Sequence, residues 1–282
     1  MGIETLAFGY GLIEGPRWAP DGGLYFSDVR HGGVRRLRAD GTIEVVVPKR
    51  RGVGGIALHA DGGLVVSGRN VCHVRDGVTR VLYERDDVGG FNDLYTDASG
   101  RVYVGSLRDD PFSVGEGRRT GDAYRIDGEG RAVVLYDSVG LSNGIGFSPD
   151  GRVLYHVDTA PNEVVAHDVD DRGDVVPGSR RVFARLDRGS PDGLTVDTDG
   201  GVWVAAYGGG CVVRFAADGS VDRRVEVAAK AVTSLCFAGP ALDELVVVTA
   251  DNTDDASRGG TIFRASADLV GATGVPAPLA RV

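Results

Sequence analysis

Between residues 144 and 186 the chain alternates short apolar runs with clusters of turn-forming residues. Gly144-Ile-Gly-Phe-Ser148 is apolar, and Pro149-Asp-Gly-Arg152 has the chemistry of a hairpin turn. Residues 153–157 are β-branched and aromatic, as suits a second strand. Pro161-Asn-Glu163 turns into a third strand over 164–168, residues 170–174 turn again, and 180–186 alternate as an amphipathic fourth strand. The first strand is the least polar and is expected innermost. The fourth carries charge and is expected at the outer edge, where charge discourages edge-to-edge pairing. No helical period of useful length occurs; residues 223–232 come nearest, but Val225 and Val227 alternate as in an outer strand.

The same unit recurs. Pro20-Asp-Gly-Gly-Leu-Tyr-Phe-Ser-Asp28, Ala60-Asp-Gly-Gly-Leu-Val-Val-Ser67 and Ala98-Ser-Gly-Arg-Val-Tyr-Val-Gly105 match the hairpin at 149–156, as do Thr198-Asp-Gly-Gly-Val-Trp-Val-Ala205 and the degenerate Pro240-Ala-Leu-Asp-Glu-Leu-Val-Val-Val248. The second residue of each hairpin recurs after about 40, 38, 51, 49 and 42 residues, a period that signals stacked units of about four strands. One unit cannot bury its faces without its neighbours. The pattern therefore predicts an all-β, six-bladed β-propeller, with four antiparallel strands per blade and residues 1–282 in a single domain. The last repeat shows only three clear strands, at 232–237, 244–250 and 260–264. Residues 3–8 are expected to add the fourth and so join the chain ends. An extra-long connection at 107–121, placed between repeats three and four, holds Asp109, Asp110, Glu116, Arg118 and Arg119 and is the lid candidate.

Composition narrows the partners. The net charge is −9 and no run of Lys or Arg exceeds three residues, so the basic stripe of a nucleic-acid surface is missing. No apolar membrane span or signal-peptide pattern is present, which leaves the cytoplasm as the expected location. Cys72, Cys211 and Cys236 lie far apart in strand-like runs and are expected to be buried small hydrophobes, not disulfide partners or zinc ligands.

The repeat also works as a ruler. Seven residues before each hairpin landmark stand Glu14, Gly54, Asn92, Asn143, Asp192 and Ser234. All open the first strand of a blade, so in a propeller they ring one mouth of the central channel. Glu, Asn, Asn and Asp offer only oxygen donors and two negative charges, which suits Ca²⁺, Mg²⁺ or Mn²⁺. Two carboxylates so close repel each other unless a cation lies between them. Gly54 and Ser234 leave room. His31, His59, His73, His156 and His167 stand elsewhere in the register; only His156, beside Asp158, is expected near the channel, as a structural imidazole. Asp28 and Asp158 end second strands and are expected to accept from loop donors.

The same residues carry a family resemblance that spans essentially the whole chain. Glu14-Gly-Pro-Arg-Trp18, Phe91-Asn-Asp93, Leu141-Ser-Asn-Gly144 and Ser190-Pro-Asp-Gly-Leu194 resemble motifs of the SMP-30/gluconolactonase/luciferin-regenerating family, as do 202–214 and Thr233-Ser-Leu-Cys-Phe237. The resemblance implies a six-bladed propeller with one catalytic divalent ion, Ca²⁺ first and Zn²⁺, Mg²⁺, Mn²⁺ or Fe²⁺ also compatible. It implies Glu14, Asn143 and Asp192 as metal ligands and Asn92 as a substrate contact. The chemistry implied is hydrolysis of a small lactone, with the metal polarising the carbonyl and activating water, and Asp192 as general base. The same site would also serve another ester or phosphotriester hydrolysis or a metal-assisted isomerisation or cyclisation. A non-enzymatic propeller with a structural ion is the remaining alternative. Family members acting on sugar lactones often carry Arg where this chain has Gly90. Either Glu116, Arg118 or their loop neighbours replace that grip, or the substrate is not an aldonolactone. If grip alone is missing, Gly90→Arg is expected to improve aldonolactone turnover.

Overall fold

A computed structural model describes residues 2–109, 119–128 and 130–282. Among them the strands form six four-stranded antiparallel sheets, each running inner to outer in chain order except the last. Blade 4 shows how the sequence pattern becomes structure. Its strands are Ser142–Phe147, Val153–Asp158, Glu163–Asp168 and Arg181–Ala184. Gly151, at φ 72°, makes the first hairpin turn, closed by Ser148 N donating to Val153 O (2.9 Å) while the Asp150 carboxylate accepts from Arg152 N (3.1 Å). Inner strands are buried nearly throughout, whereas outer strands such as Val221–Glu226 expose most positions. That gradient follows from the apolar-to-charged order of strands within each repeat.

The inner strands Ile13–Trp18, Ile56–Leu58, Gly90–Thr96, Ser142–Phe147, Ser190–Val196 and Val232–Ala238 contact one another in cyclic order, the last returning to the first. Closure is as expected from the incomplete last repeat. Ile3–Tyr10 pairs antiparallel with Gly260–Ala265, from Ile3 opposite Ala265 to Tyr10 opposite Gly260, and becomes the outer strand of blade 6. No sheet is left with only three strands.

The C-terminal residues add a strap that the repeat does not encode. Gly274 N donates to Leu242 O (2.7 Å), Ala280 N to Leu58 O (2.8 Å) and Arg281 N to Gly100 O (2.8 Å). The tail thus runs from the hairpins of blades 5 and 6 to those of blades 2 and 3, on the face opposite the starting ends of the inner strands. Ala280 and Val282 are buried at its end. The long 107–121 connection lies inside blade 3, between its strands Val102–Leu107 and Gly121–Ile126, not between repeats three and four. The reason is the polar start of the third strand: Gly121-Asp122 reads as loop in sequence. The three cysteines are buried and free. Among the described residues no helix is long and apolar enough to cross a membrane.

Candidate active site

Each inner strand that bears a candidate residue breaks register at that residue. The pairing shifts between Glu14 and Arg17, Phe91 and Leu94, Ser142 and Ile145, and Pro191 and Leu194. These irregularities contain Asn92, Asn143 and Asp192, and the first begins directly after Glu14, which still pairs with Ser27. A bulge re-aims a side chain out of the strict in–out alternation of a strand, and here it turns four side chains toward the channel. The residue after Asn143 must then be small: a side-chain carbon on Gly144 would lie 2.3 Å from Leu194 N of the next blade.

All four residues line one cavity of about 610 Å³ at the channel mouth, together with Thr159, Tyr207 and the apolar Leu12, Val29 and Phe91. The amides are fixed. Asn92 Nδ2 donates to Ser142 O (2.7 Å) and to Asn143 Oδ1; Asn143 Nδ2 donates to Thr159 Oγ1 (2.7 Å), whose hydroxyl donates to Pro191 O (2.7 Å). Three blades are thereby linked through the site. Asn92 Oδ1 is left facing the cavity without a donor among the described residues. Thr159, which follows Asp158, was missed by the repeat register because it lies in the turn after a second strand and not at the start of a first one.

The carboxylates are held differently. Neither Glu14 nor Asp192 has an ion pair with its carboxylate among the described residues. Burial pushes the Glu14 carboxyl well above the usual range, with the charges of Asp192 and Asp93 adding to the shift. Burial does the same to Asp192, with Asp93 again adding. Asp93 is raised to about 7 by burial, although the Arg17 cation opposes the shift. Below the ring, Arg17 Nε donates to Ile56 O (2.9 Å) and its guanidinium lies 5.3 Å from the centre of the Tyr95 ring. The deeper channel is thus occupied by side chains, and the cavity is a cup open at one end.

Two carboxylates, one half-buried and one buried, without an ion-pair partner among the described residues and flanked by amide oxygens, form a donor set that fits a hard cation. Among the described residues no cluster of three or more His, Cys, Asp or Glu is arranged to hold a metal, so such an ion would depend on the amide oxygens as well.

Asp28 accepts from Gly11 N (3.1 Å) and His31 N (3.0 Å), and Asp158 from Gly140 N and Leu141 N (both 2.9 Å), so both serve loop donors. Asp251, unnoticed in the sequence, does the same for Lys230 N and Ala231 N in blade 6. His156 is buried between Ser142 Oγ (2.8 Å) and Tyr136 OH (2.6 Å), and burial holds it down to about 3, a neutral structural ring. Glu116 and Arg118 lie outside the described residues. Arg119 is engaged by Asp109, with Nε and Nη2 donating to its carboxylate at 2.9 and 2.8 Å, and neither residue lines the cavity. Gly90 does line it, but an added side-chain carbon would meet Gly68 O at 2.9 Å. The expectation that Arg at this position would improve the site therefore does not hold: there is no space for its stem.

Residues 12–251 match the family described as SMP-30/Gluconolactonase/LRE-like region. The chain is similar to pentonolactonase XacC of Haloferax volcanii, 33% identical over 94% of this chain and 93% of that protein. It is also similar to a 6-deoxy-6-sulfogluconolactonase of Pseudomonas putida, 32% identical over 84% and 83% of the two chains. Among solved structures, the calcium-binding protein regucalcin of Agrobacterium tumefaciens aligns with a TM-score of 0.85 and 26% identity, over 100% of this chain and 98% of that one. A luciferin-regenerating enzyme aligns with a TM-score of 0.88 at 22% identity over 99% of both, a likeness of fold.

Proposed function

The chain belongs to the SMP-30/gluconolactonase/LRE-like family, and from that premise we propose that it is a divalent-cation-dependent lactonase that opens the ring ester of a small lactone bound in the cavity. The observation that carries this reading is the pair of carboxylates, half-buried Glu14 and buried Asp192, that share one cavity without an ion-pair partner among the described residues. Relatives named for sugar-lactone hydrolysis support the reaction, and a relative in structure named as calcium-binding supports Ca²⁺ as the ion. Glu14, Asn143 and Asp192 would hold the cation, which when bound supplies positive charge to polarise the ring carbonyl and acidify water.

The chain's own groups then have distinct tasks. Asp192 takes the proton from the attacking water as the water oxygen bonds to the carbonyl carbon. The ring C–O bond breaks, and the proton passes to the departing alkoxide, so lactone and water become one hydroxy acid. Asn92 presents Oδ1 as acceptor to a substrate hydroxyl, held in place by its two Nδ2 bonds. Thr159 fixes the plane of the Asn143 amide, leaving its oxygen toward the ring of donors. The apolar wall of Leu12, Val29 and Phe91 limits bulk water around the ring.

The test is a lactone panel assayed after chelation, with and without added Ca²⁺, on the wild-type chain and Asp192→Asn. Chelation is expected to abolish hydrolysis, Ca²⁺ to restore it, and the variant to lose about 10²–10⁴-fold in kcat while melting as a folded protein. Full activity in Asp192→Asn removes it as the base. Turnover that survives chelation removes the cation from the reading.

A further inference from the structure

The blade 2 side of the cavity carries charge opposite to its floor. Arg51, in the loop leading to the inner strand Ile56–Leu58, and Arg69, in the turn after the strand Leu64–Val66, both line the cavity. The two segments are adjacent: a side-chain carbon on Gly68 would lie 3.2 Å from Arg51 O. A carbon on Gly90 would lie 3.7 Å from Arg69 Cα. The backbone of Arg69, on the neighbouring blade, thus stands beside position 90, where this chain has no side chain.

Neither arginine has a close, buried ionic partner among the described residues. Arg51 makes no hydrogen bond or ion pair among the described residues. Arg69 Nη1 donates to Arg85 O (3.0 Å) and Val88 O (3.2 Å), and its nearest acid, the exposed Asp86, stands 3.9 Å away. The only acidic residues that line the cavity among those described are Glu14 and Asp192 on the floor. In a chain of net charge −9, two arginines on one wall of a cavity whose acids, Glu14 and Asp192, line its floor are a local reversal of sign.

We propose that Arg51 and Arg69 form an oxyanion-recognising wall, and that the substrate is a lactone with an anionic group (carboxylate, phosphate or sulfonate) at the end remote from its ring ester. The ring lies on the floor, where Glu14, Asn143 and Asp192 act, and the tail reaches toward blade 2. A guanidinium pairs with such oxyanions through two parallel N–H donors, which fixes orientation as well as charge. The position of the ring rests on the lactonase reading; the recognition of the anion does not.

Ring-opened acids test this without turnover. Gluconate and 6-phosphogluconate are titrated calorimetrically, with Ca²⁺ present, into the full wild-type chain and into Arg51→Ala, Arg51→Lys and Arg51→Ala/Arg69→Ala. Wild type is expected to bind 6-phosphogluconate about ten-fold or more tightly than gluconate. That ratio is expected to collapse to within about two-fold in the double variant and to be partly kept by Arg51→Lys, and to shrink as salt rises. Because the Arg51 side chain makes no hydrogen bond or ion pair among the described residues, its single variants are expected to keep the fold, and melting curves verify this for them and for the double variant, in which Arg69 also gives up its bonds to Arg85 O and Val88 O. Equal affinities in wild type, a ratio unchanged by the substitutions, or no binding of either acid overturns the proposal. If the anion preference is present but no lactone is hydrolysed, the wall stands and the lactonase reading fails; hydrolysis without preference for phosphorylated lactones has the reverse meaning.

Discussion

Two glycines shape the cavity by what they exclude. A side-chain carbon on Gly54 would lie 2.1 Å from Asn92 Oδ1, so any larger residue there displaces an amide that lines the cavity. Gly90 is constrained by backbone: Phe91 N donates to Gly68 O (2.7 Å) and Gly68 N to Phe91 O (3.1 Å), tying blade 3 to blade 2. The first carbon of an arginine at 90 would press on that Gly68 oxygen. Gly90→Arg is accordingly expected to cost about 1–3 kcal/mol of stability through overpacking and to lower lactone turnover by moving Asn92. Urea melts and kcat/KM measured on the same preparation check it. A variant of wild-type stability with faster aldonolactone turnover contradicts the packing argument. The family resemblance singled out Gly90 but could not show Gly68, which comes from another blade.

At the scale of single elements, the site depends on bulged inner strands and on the loops that feed them. Asp158, at the end of the second strand of blade 4, holds Gly140 N and Leu141 N just before Asn143. Removing its carboxylate leaves two backbone donors unserved in a mostly buried place, so Asp158→Ala is expected to lose about 1–3 kcal/mol. It is also expected to weaken Ca²⁺ retention, since Asn143 loses its approach. Denaturant midpoints and a Ca²⁺ titration separate the two effects, and unaltered values in both would show that the loop holds itself. Why Asp28 and Asp158 were legible while Asp251 was not is a matter of offset. The first two close their strands directly, whereas Asp251 stands two residues beyond Thr249, where its strand ends. The hairpins were legible because their turn residues and alternation are local. The bulges were not, because they exist only in the pairing of two strands. The 107–121 connection was misplaced for a related reason: strand Gly121–Ile126 begins with small and polar residues, and only its pairing partner defines where it starts.

At the scale of the whole molecule, a closed ring brings acidic groups from separate blades into one buried place, and that has a pH signature. The strand Ile3–Tyr10 and the C-terminal strap hold the ring shut from outside, so Glu14, Asp93 and Asp192 cannot drift apart to relieve their repulsion. All three have carboxyl groups raised above their unfolded values, Asp93 to about 7. Below the unfolded values both states are protonated and the groups cost nothing. As pH rises toward the raised folded values, the unfolded chain releases protons first, and the chelated folded chain loses stability relative to it. A cation bound to ionised Glu14 and Asp192 competes with those protons and reverses the trend. The increase in thermal midpoint on adding Ca²⁺ is therefore expected to be small at pH 5 and to grow toward pH 8, where saturation at about 100 Kd corresponds to about 2.7 kcal/mol. Asp192→Asn, with one buried carboxylate fewer, is expected to raise the midpoint of the chelated chain at pH 8 and to reduce the Ca²⁺ increment there. Melting curves with chelator or Ca²⁺ at the two pH values decide the matter. An increment independent of pH, or equal in wild type and variant, would mean that the cation binds away from these carboxylates and that the ring's acid is balanced in some other way.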